Sequence, residues 1–315
     1  MTRTAVIIVS WNSREDLESC LASLANNIPG DVEILVVDNG STDGTPDMVS
    51  EKFPKVRLFP RKENLGFARA NNLACSHTRA EYLFILNPDT VVRKGALETL
   101  TAFLDRTPDA GLAAPLLIDE KGFILPSAFR FPGIGNYWTE HSILLPVLEK
   151  VRKRKRPGDE KGNRGVRELD WATGAAFMVR RSALEGEPLF DERFFMYSED
   201  ADLCRRLANR DRKRHLIPSA LVMHIHRGSS RQARFRTIFH LFRSLDMYHG
   251  KHKGPVERFF LRASICMDML IRIFILTLFP GKQKVRQDHR ERKRAYREIV
   301  RRLNPFRLLF NRNKG

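Results

Sequence analysis

Between residues 4 and 106 the sequence switches repeatedly between two hydrophobic periods, and this alternation constrains the fold more than any other feature. TAVIIVSW (4–11) is a Val- and Ile-rich run of buried-strand length. SREDLESCLASLANN (13–27) then spaces Leu17, Cys20, Leu21 and Leu24 at helical intervals. Ser13 is its expected N-cap, with acids in the first turn. VEILVVDNGSTDGT (32–45) reads as a strand running into a turn-rich loop, and PDMVSEKF (46–53) as a short helix. VRLFP (56–60) is a third strand, LGFARANNLACSHT (65–78) a helix, EYLFILNPDT (81–90) a fourth strand and GALETLTAFLDR (95–106) a helix. Strands and helices in strict alternation predict a doubly wound, mostly parallel sheet with helices on both faces.

In such a sheet, ligands bind beyond the carboxyl ends of the strands. The polar residues that interrupt the apolar runs fall there. Asn12 follows the first strand, Asp38 and Asn39 the second, and Asn87 and Asp89 the fourth. One polar strand end is an ordinary turn; three on one edge mark a candidate site. A carboxylate such as Asp89 suits a hard divalent cation, Mg²⁺ or Mn²⁺, shared with substrate phosphates. Asn87 offers an amide oxygen or a hydrogen bond, and Pro88 stiffens the spacing. Asp38 could read a nucleobase or a ribose hydroxyl, or simply cap a Gly/Asn/Asp turn. ENLGFARANN (63–72) brings Gly66 and several amides to a helix start, where backbone N–H groups favour phosphate.

Further on, MYSEDADLCRR (196–206) places Glu199, Asp200 and Asp202 within four residues. An acid in such a cluster can have a raised pKa and act as a base. Acids also decorate helix N-termini for the dipole alone. HIHRGSS (224–230) sets His224 and His226 on one face of a strand, either a possible metal ligand or a packed ring.

The formal charge is +18, concentrated at KVRKRKR (150–156), RRLANRDRKRH (205–215) and the C-terminal tail. This balance implies an anionic partner: nucleic acid, anionic lipid or a phosphate-bearing substrate. Nucleic acid would explain the charge but neither the acidic cluster nor the polar strand ends. A dinucleotide-dependent dehydrogenase is excluded because the first strand leads into SWNSRED and not a GxGxxG turn. Four scattered cysteines without a CxxC pair suit a reducing cytoplasm. KVRKRKRPGDEKGNRG (150–165) reads as a mobile loop. VERFFLRASICMDMLIRIFILTLFP (256–280) is strongly apolar, yet Arg262, Asp268 and Arg272 interrupt it. A membrane span is therefore disfavoured; a helix lying on a membrane, or one packed on the domain, fits better.

Taken together, VIIVSWN, VVDNGSTDGT, NLGFARANN, FILNPDT, WATGAAFMVRRSAL, FDERFFMYSEDADLCRRL and HIHRGSS resemble, in that order, the family 2 glycosyltransferases of GT-A fold. The similarity is greatest to the bacterial rhamnosyltransferase-like branch and covers residues 4 to 245. It implies a metal-dependent, inverting transfer of a sugar, with rhamnose favoured, from a nucleoside diphosphate sugar to a hydroxyl of a glycan or lipid-linked acceptor. By the same resemblance Asp38 binds the base, with Trp11 and Asn12 lining that pocket. Asn39, Asn64, Gly66 and Asn71 shape the nucleotide site. Asn87 and Asp89 stand in place of the family's DxD motif, and His224, or alternatively His226, completes the metal shell. Asp200 is then the base, Glu199 and Asp202 position it or the acceptor, and Thr173 and Gly174 line the acceptor side.

The expected organisation is a transferase domain over 1–249, with a nucleotide-sugar half (1–115) and an acceptor half (116–249). Amphipathic basic helices follow over 250–315. Expected partners are the donor, the acceptor and an anionic membrane surface, but no nucleic acid, which places the chain on the cytoplasmic face of the inner membrane. The alternatives are a catalytically inactive sugar-nucleotide-binding homologue and a basic nucleic-acid-binding protein.

Overall fold

A computed structural model describes residues 3–28, 31–140, 165–225, 234–279 and 283–305. His226, most of the expected mobile loop and the end of the tail lie outside these residues. The strands are β1 (Thr4–Ser10), β2 (Glu33–Asp38), β3 (Arg57–Pro60), β4 (Tyr82–Leu86), β5 (Thr90–Val92), β6 (Ala110–Ile118), β7 (Ala128–Phe129), β8 (Arg167–Glu168), β9 (Trp171–Ala172), β10 (Ala176–Arg180) and β11 (Lys213–His224). The helices are α1 (Arg14–Asn27), α2 (Thr45–Lys52), α3 (Phe67–Ser76), α4 (Ala96–Arg106), α5 (Ile134–Glu140), α6 (Glu199–Ala208), α7 (Arg234–His252), α8 (Pro255–Leu278) and α9 (Gln283–Arg302). The chain forms two compact units. One comprises Met1–Phe131, Arg154–Phe195 and Glu199–Ser229; the other comprises Pro132–Lys153, Met196–Ser198 and Ser230–Gly315.

The first unit is built on a sheet of order β3-β2-β1-β4-β10-β6-β11-β5, with β8 pairing β11 beside β5. β1, β2, β3 and β4 are parallel neighbours, as are β6 and β11. β10 runs antiparallel between β4 and β6, and β5 and β8 are antiparallel to β11. The sheet is thus the expected mostly parallel one, with reversed strands inserted. β1 explains why the central strands read as continuous apolar runs. Ala5, Ile7 and Val9 pack on one face with Ala68 of α3 and Leu203 of α6. Val6 and Ile8 pack on the other with Leu17 of α1, Met48 of α2 and Leu100 of α4. A strand covered on both sides has no polar face to alternate with.

Two local expectations differ. The stretch 81–90 is not one strand: β4 stops at Leu86, and Thr90 opens β5, which pairs with the end of β11 instead. Proline at position 88 supplies no N–H for a ladder, so the chain turns there. Ser13 sits at the N-cap of α1, but its hydroxyl donates to the Trp11 carbonyl. The free helix N–H of Arg14 is met by Asp43 Oδ2 at 3.1 Å.

The cysteines of the chain are all free thiols, and burial pushes Cys20, Cys75 and Cys204 up to about 12. They are core residues, not nucleophiles. The second unit is helical. Tyr137, Phe242, Leu245, Leu261, Ile265, Met269, Tyr296 and Ile299 form its core. Among the described residues no helix is long and apolar enough to cross a membrane.

Candidate active site

The parallel register brings the polar strand ends together. Ser10 of β1 is level with Asp38 of β2, and Ile8 with Leu86 of β4. Asn12, Asp38, Asn39 and Asn87 therefore follow adjacent strands on one edge. The two loops on the β1–β2 side are tied to each other. Asn12 adopts φ 48°, its N–H donates to Ser41 Oγ at 2.9 Å, and its Oδ1 accepts the Thr42 N–H at 2.8 Å. Asn tolerates this left-handed backbone better than most residues. Asp38 is almost fully buried. Its Oδ2 accepts the Ser41 N–H at 3.1 Å, while Oδ1 has no hydrogen-bond partner among the described residues. A buried acceptor left open at a sheet edge is disfavoured unless a ligand or an ordered water donates to it.

Asn39 acts as a clamp. It donates to Asn64 Oδ1 at 3.0 Å and accepts the Leu65 N–H at 2.8 Å. Asn64 Oδ1 also accepts the Gly66 N–H. Gly66 has φ 83° and ψ 170°, and a Cβ there would sit 2.5 Å from the Phe195 carbonyl oxygen. That close approach lets the Phe67 N–H reach the same oxygen at 2.7 Å. Asn71 lies one turn into α3 and donates back to the Phe67 carbonyl; its Oδ1 is buried and has no hydrogen-bond partner among the described residues. Trp11 is half-buried at the end of β1.

The next part of the edge is fixed by the NPD turn. Thr90 Oγ1 donates to the Asn87 carbonyl at 2.7 Å, closing the turn. Pairing of β5 with β11 sets His224 opposite Thr90. His224 Nε2 then lies 3.1 Å from Asp89 Oδ1, and the Ile225 N–H donates to the Asp89 carbonyl. Among the described residues no group of three or more His, Cys, Asp or Glu side chains could hold a metal ion. The pair is nevertheless a carboxylate oxygen, which suits hard Mg²⁺ or Mn²⁺, and an imidazole nitrogen, a softer donor that a transition metal accepts more readily than Mg²⁺ does. A metal held by two protein side chains would keep coordination positions for phosphate oxygens.

The acidic cluster joins the same edge through two hydrogen bonds. Asp200 Oδ2 accepts the Gly174 N–H at 2.8 Å, and the neighbouring Ala175 carbonyl accepts the Asn87 N–H at 2.9 Å. Gly174 packs closely here: a Cβ at this position would make ordinary contacts of 3.4–3.6 Å with the Phe67 ring and the Asp200 carboxylate. Asp200 Oδ1 accepts the Ala201 N–H at 2.8 Å. Burial pushes the Asp200 carboxyl up to about 6, against the opposing pull of these backbone donors. Burial, and then the charge of Asp200, raise Glu199 well above the usual carboxylate range, and Glu199 Oε2 has no partner among the described residues. Thr173 is half-buried beside Gly174 and donates its N–H to the Ser127 carbonyl.

Asp202 is placed differently from its two neighbours. It is fully buried and accepts from Arg206 Nε at 3.1 Å, one turn along α6. Arg206 in turn donates to the Leu189 and Pro188 carbonyls. This carboxylate therefore anchors the 187–190 turn. Residues that the motif reading passed over also shape the edge: Ser41 and Asp43 link the first two loops, and Thr90 closes the NPD turn. All three lie inside the quoted motifs, so their hydrogen-bonding side chains were the available signal.

Near Gly174 in the chain, a cavity of about 620 Å³ is lined by Phe129, Arg130, Arg167 and Asp170, among others.

The raised Glu199 pKa has a consequence for stability. The folded chain keeps a proton that the unfolded chain releases, so the group is neutral to folding at low pH. It becomes destabilising as pH rises from its unfolded value toward its folded one. Glu199→Gln removes the ionisation. Its melting temperature should match the parent near pH 4 and exceed it increasingly above pH 6, as read by thermal denaturation across pH. A difference independent of pH would show that Glu199 is not held protonated by burial.

A doubly wound sheet with polar strand ends gathered along one edge is the architecture of the GT-A glycosyltransferases. Residues 5–186 match the family model described as Glycosyl transferase family 2, and the chain belongs to that family. It is 33% identical over 230 residues to the N-acetylglucosaminyl-diphospho-decaprenol L-rhamnosyltransferase of Mycobacterium tuberculosis, covering 70% of this chain and 75% of that protein. Two solved structures share its fold at 16% identity. The mannosyltransferase PcManGT from Pyrobaculum calidifontis in complex with GDP-Man and Mn²⁺ has a TM-score of 0.52, over 99% of this chain and 88% of that one. GalNAc-T7 with UDP, GalNAc and Mn²⁺ has a TM-score of 0.55, over 72% of this chain and 43% of that one.

Proposed function

We propose that this glycosyltransferase is inverting and metal-dependent, and that it moves rhamnose from a nucleoside diphosphate to a hydroxyl of a lipid-diphosphate-linked glycan. The observation that carries this reading is the Asp200–Gly174–Ala175–Asn87 connection. Two backbone hydrogen bonds link a buried acid of raised pKa to the turn that carries Asp89, the partner of His224, which supports this reading. The open Oδ1 of Asp38 would accept a hydrogen bond from the base or ribose. The Asn39–Asn64–Gly66 clamp would hold the loop against the nucleotide. Asp89 and His224 would hold the metal. A bound Mn²⁺ or Mg²⁺ would supply positive charge against the departing diphosphate.

The acceptor hydroxyl would give its proton to Asp200 as its oxygen bonds to the anomeric carbon. The bond from that carbon to the diphosphate oxygen breaks on the opposite face, and the nucleoside diphosphate leaves. Attack opposite the leaving group inverts the anomeric centre. Burial suits Asp200 to this role: a base of pKa about 6 is ionised at neutral pH yet binds a proton more readily than a solvated aspartate. The choice of rhamnose and of a polyprenyl-diphosphate acceptor rests on the mycobacterial relative's name. Arg130 and Arg167, at the cavity near Gly174, have the charge to meet an acceptor's diphosphate.

The test is nucleotide release from a panel of nucleoside diphosphate sugars, with and without Mn²⁺ or Mg²⁺. One donor should be consumed only with metal, and Asp89→Ala should slow its release by about 10²-fold. Donor binding without turnover, even with acceptor, would point to an inactive homologue. Failure of every donor to bind would overturn the reading.

A further inference from the structure

Helix α8 has two unlike faces. Leu261, Ile265 and Met269 point into the helical core. Every charged side chain of the helix is also engaged in an ion pair within its own unit. Arg258 and Arg262 both grip the Asp246 carboxylate, at 2.6–2.9 Å. Arg272 Nε lies 2.9 Å from Asp268, which also accepts from Tyr137. Glu257 lies 3.7 Å from His249 and 3.8 Å from Lys253. A Cβ at Gly250 would collide with the Arg258 guanidinium, so the glycine makes room for this arrangement.

The outward face carries no charge at all. Val256, Phe260, Met267, Ile271, Phe274 and Leu278 repeat at three-, four- and seven-residue intervals along it, and they are 38–68% exposed. Phe279, just beyond the helix, is 70% exposed. Monomeric proteins rarely show water so long an apolar stripe without a partner for it. Helix α9 packs antiparallel to α8: Cys266 Sγ faces the Val300 and Leu303 carbonyls, and Arg272 lies over the Tyr296 ring. Its exposed side bears Arg290, Arg294, Arg297 and Arg301 at helical spacing. An arginine row on the helix neighbouring an uncharged apolar stripe is complementary to a surface that is negative at its face and oily beneath. A second copy of the chain would bring two basic rows, on two chains of charge +18, toward each other.

We propose that α8 and α9 dock this protein on an anionic lipid bilayer, with α8 lying in the interfacial plane. Phe260, Phe274 and Leu278 enter the acyl boundary, and the α9 arginines meet headgroup phosphates. The test is partition of the full chain onto vesicles of phosphatidylcholine alone, or of equal parts phosphatidylcholine and phosphatidylglycerol. Binding should need the anionic lipid and should weaken with salt. Phe260→Ser/Phe274→Ser/Leu278→Ser and, separately, Arg290→Glu/Arg294→Glu/Arg297→Glu should each weaken it at least about tenfold. All six positions are exposed, so circular dichroism and melting temperature should stay at parental values. Three results would overturn the proposal: no partition of the parent onto anionic vesicles, equal partition of the serine variant, or a dimer in sedimentation that the serine variant abolishes. Donor hydrolysis is measured without lipid, so the outcome is independent of the catalytic reading.

Discussion

Asp200→Asn is expected to lower kcat by about 10²–10⁴-fold while leaving KM for the donor within about twofold. The side chain keeps its shape but loses its proton acceptor. In the parent, kcat/KM should be flat above pH 6 and fall tenfold per unit below it, because the carboxylate is the active form and burial sets its pKa at about 6. The variant should lose this acid limb. An asparagine must turn its NH₂ toward one of the two backbone N–H groups that Asp200 now accepts, from Gly174 or Ala201. Asp200→Ala therefore serves as a second probe, free of that mismatch. A fall of less than about fivefold in both variants, or a loss confined to donor KM, would remove Asp200 from the role of base.

Gly66→Ala is expected to destabilise the first unit by about 3–5 kcal/mol, from a backbone region that only glycine enters and from overpacking. The steric reason is specific: the added Cβ would stand 2.5 Å from a carbonyl oxygen and 2.7 Å from the Phe195 ring, with φ at 83°. Neither neighbour can yield alone, because the Phe67 N–H is bonded to that oxygen. Gly95→Ala is the internal control. Gly95 has a similar φ of 79°, but nothing lies within 4 Å of its would-be Cβ. That variant should lose only about 1–2 kcal/mol, the cost of a left-handed alanine. Equal losses in the two variants, measured by denaturant unfolding, would show that the contact with Phe195 carries no energy.

The parallel half of the fold was legible because its strands are buried on both faces. Runs such as AVIIV and LFIL announce themselves, and their polar ends mark the site edge. The reversed strands were not legible. β5, β8 and the β7–β9 pair are two or three residues long, below any periodicity, and the direction of β10 is set by its connections and not by its composition. The Asp89–His224 contact needed the β5–β11 pairing, which joins residues 135 positions apart. The Asp202–Arg206 pair was legible, because an arginine four residues later is the spacing of an intrahelical ion pair. The direction of the α8 charges depended on Asp246, on another helix, and no pattern within residues 255–278 reveals such a partner.

The inward charges of α8 make its uninterrupted apolar surface a property acquired late. Before α7 folds against it, this stretch displays three arginines and two acids, and insertion machinery weighing it residue by residue meets a poor candidate. Only after Asp246 has drawn Arg258 and Arg262 to itself does an uninterrupted greasy surface exist. The stripe is thus a product of the folded helical unit and not of the segment's sequence alone.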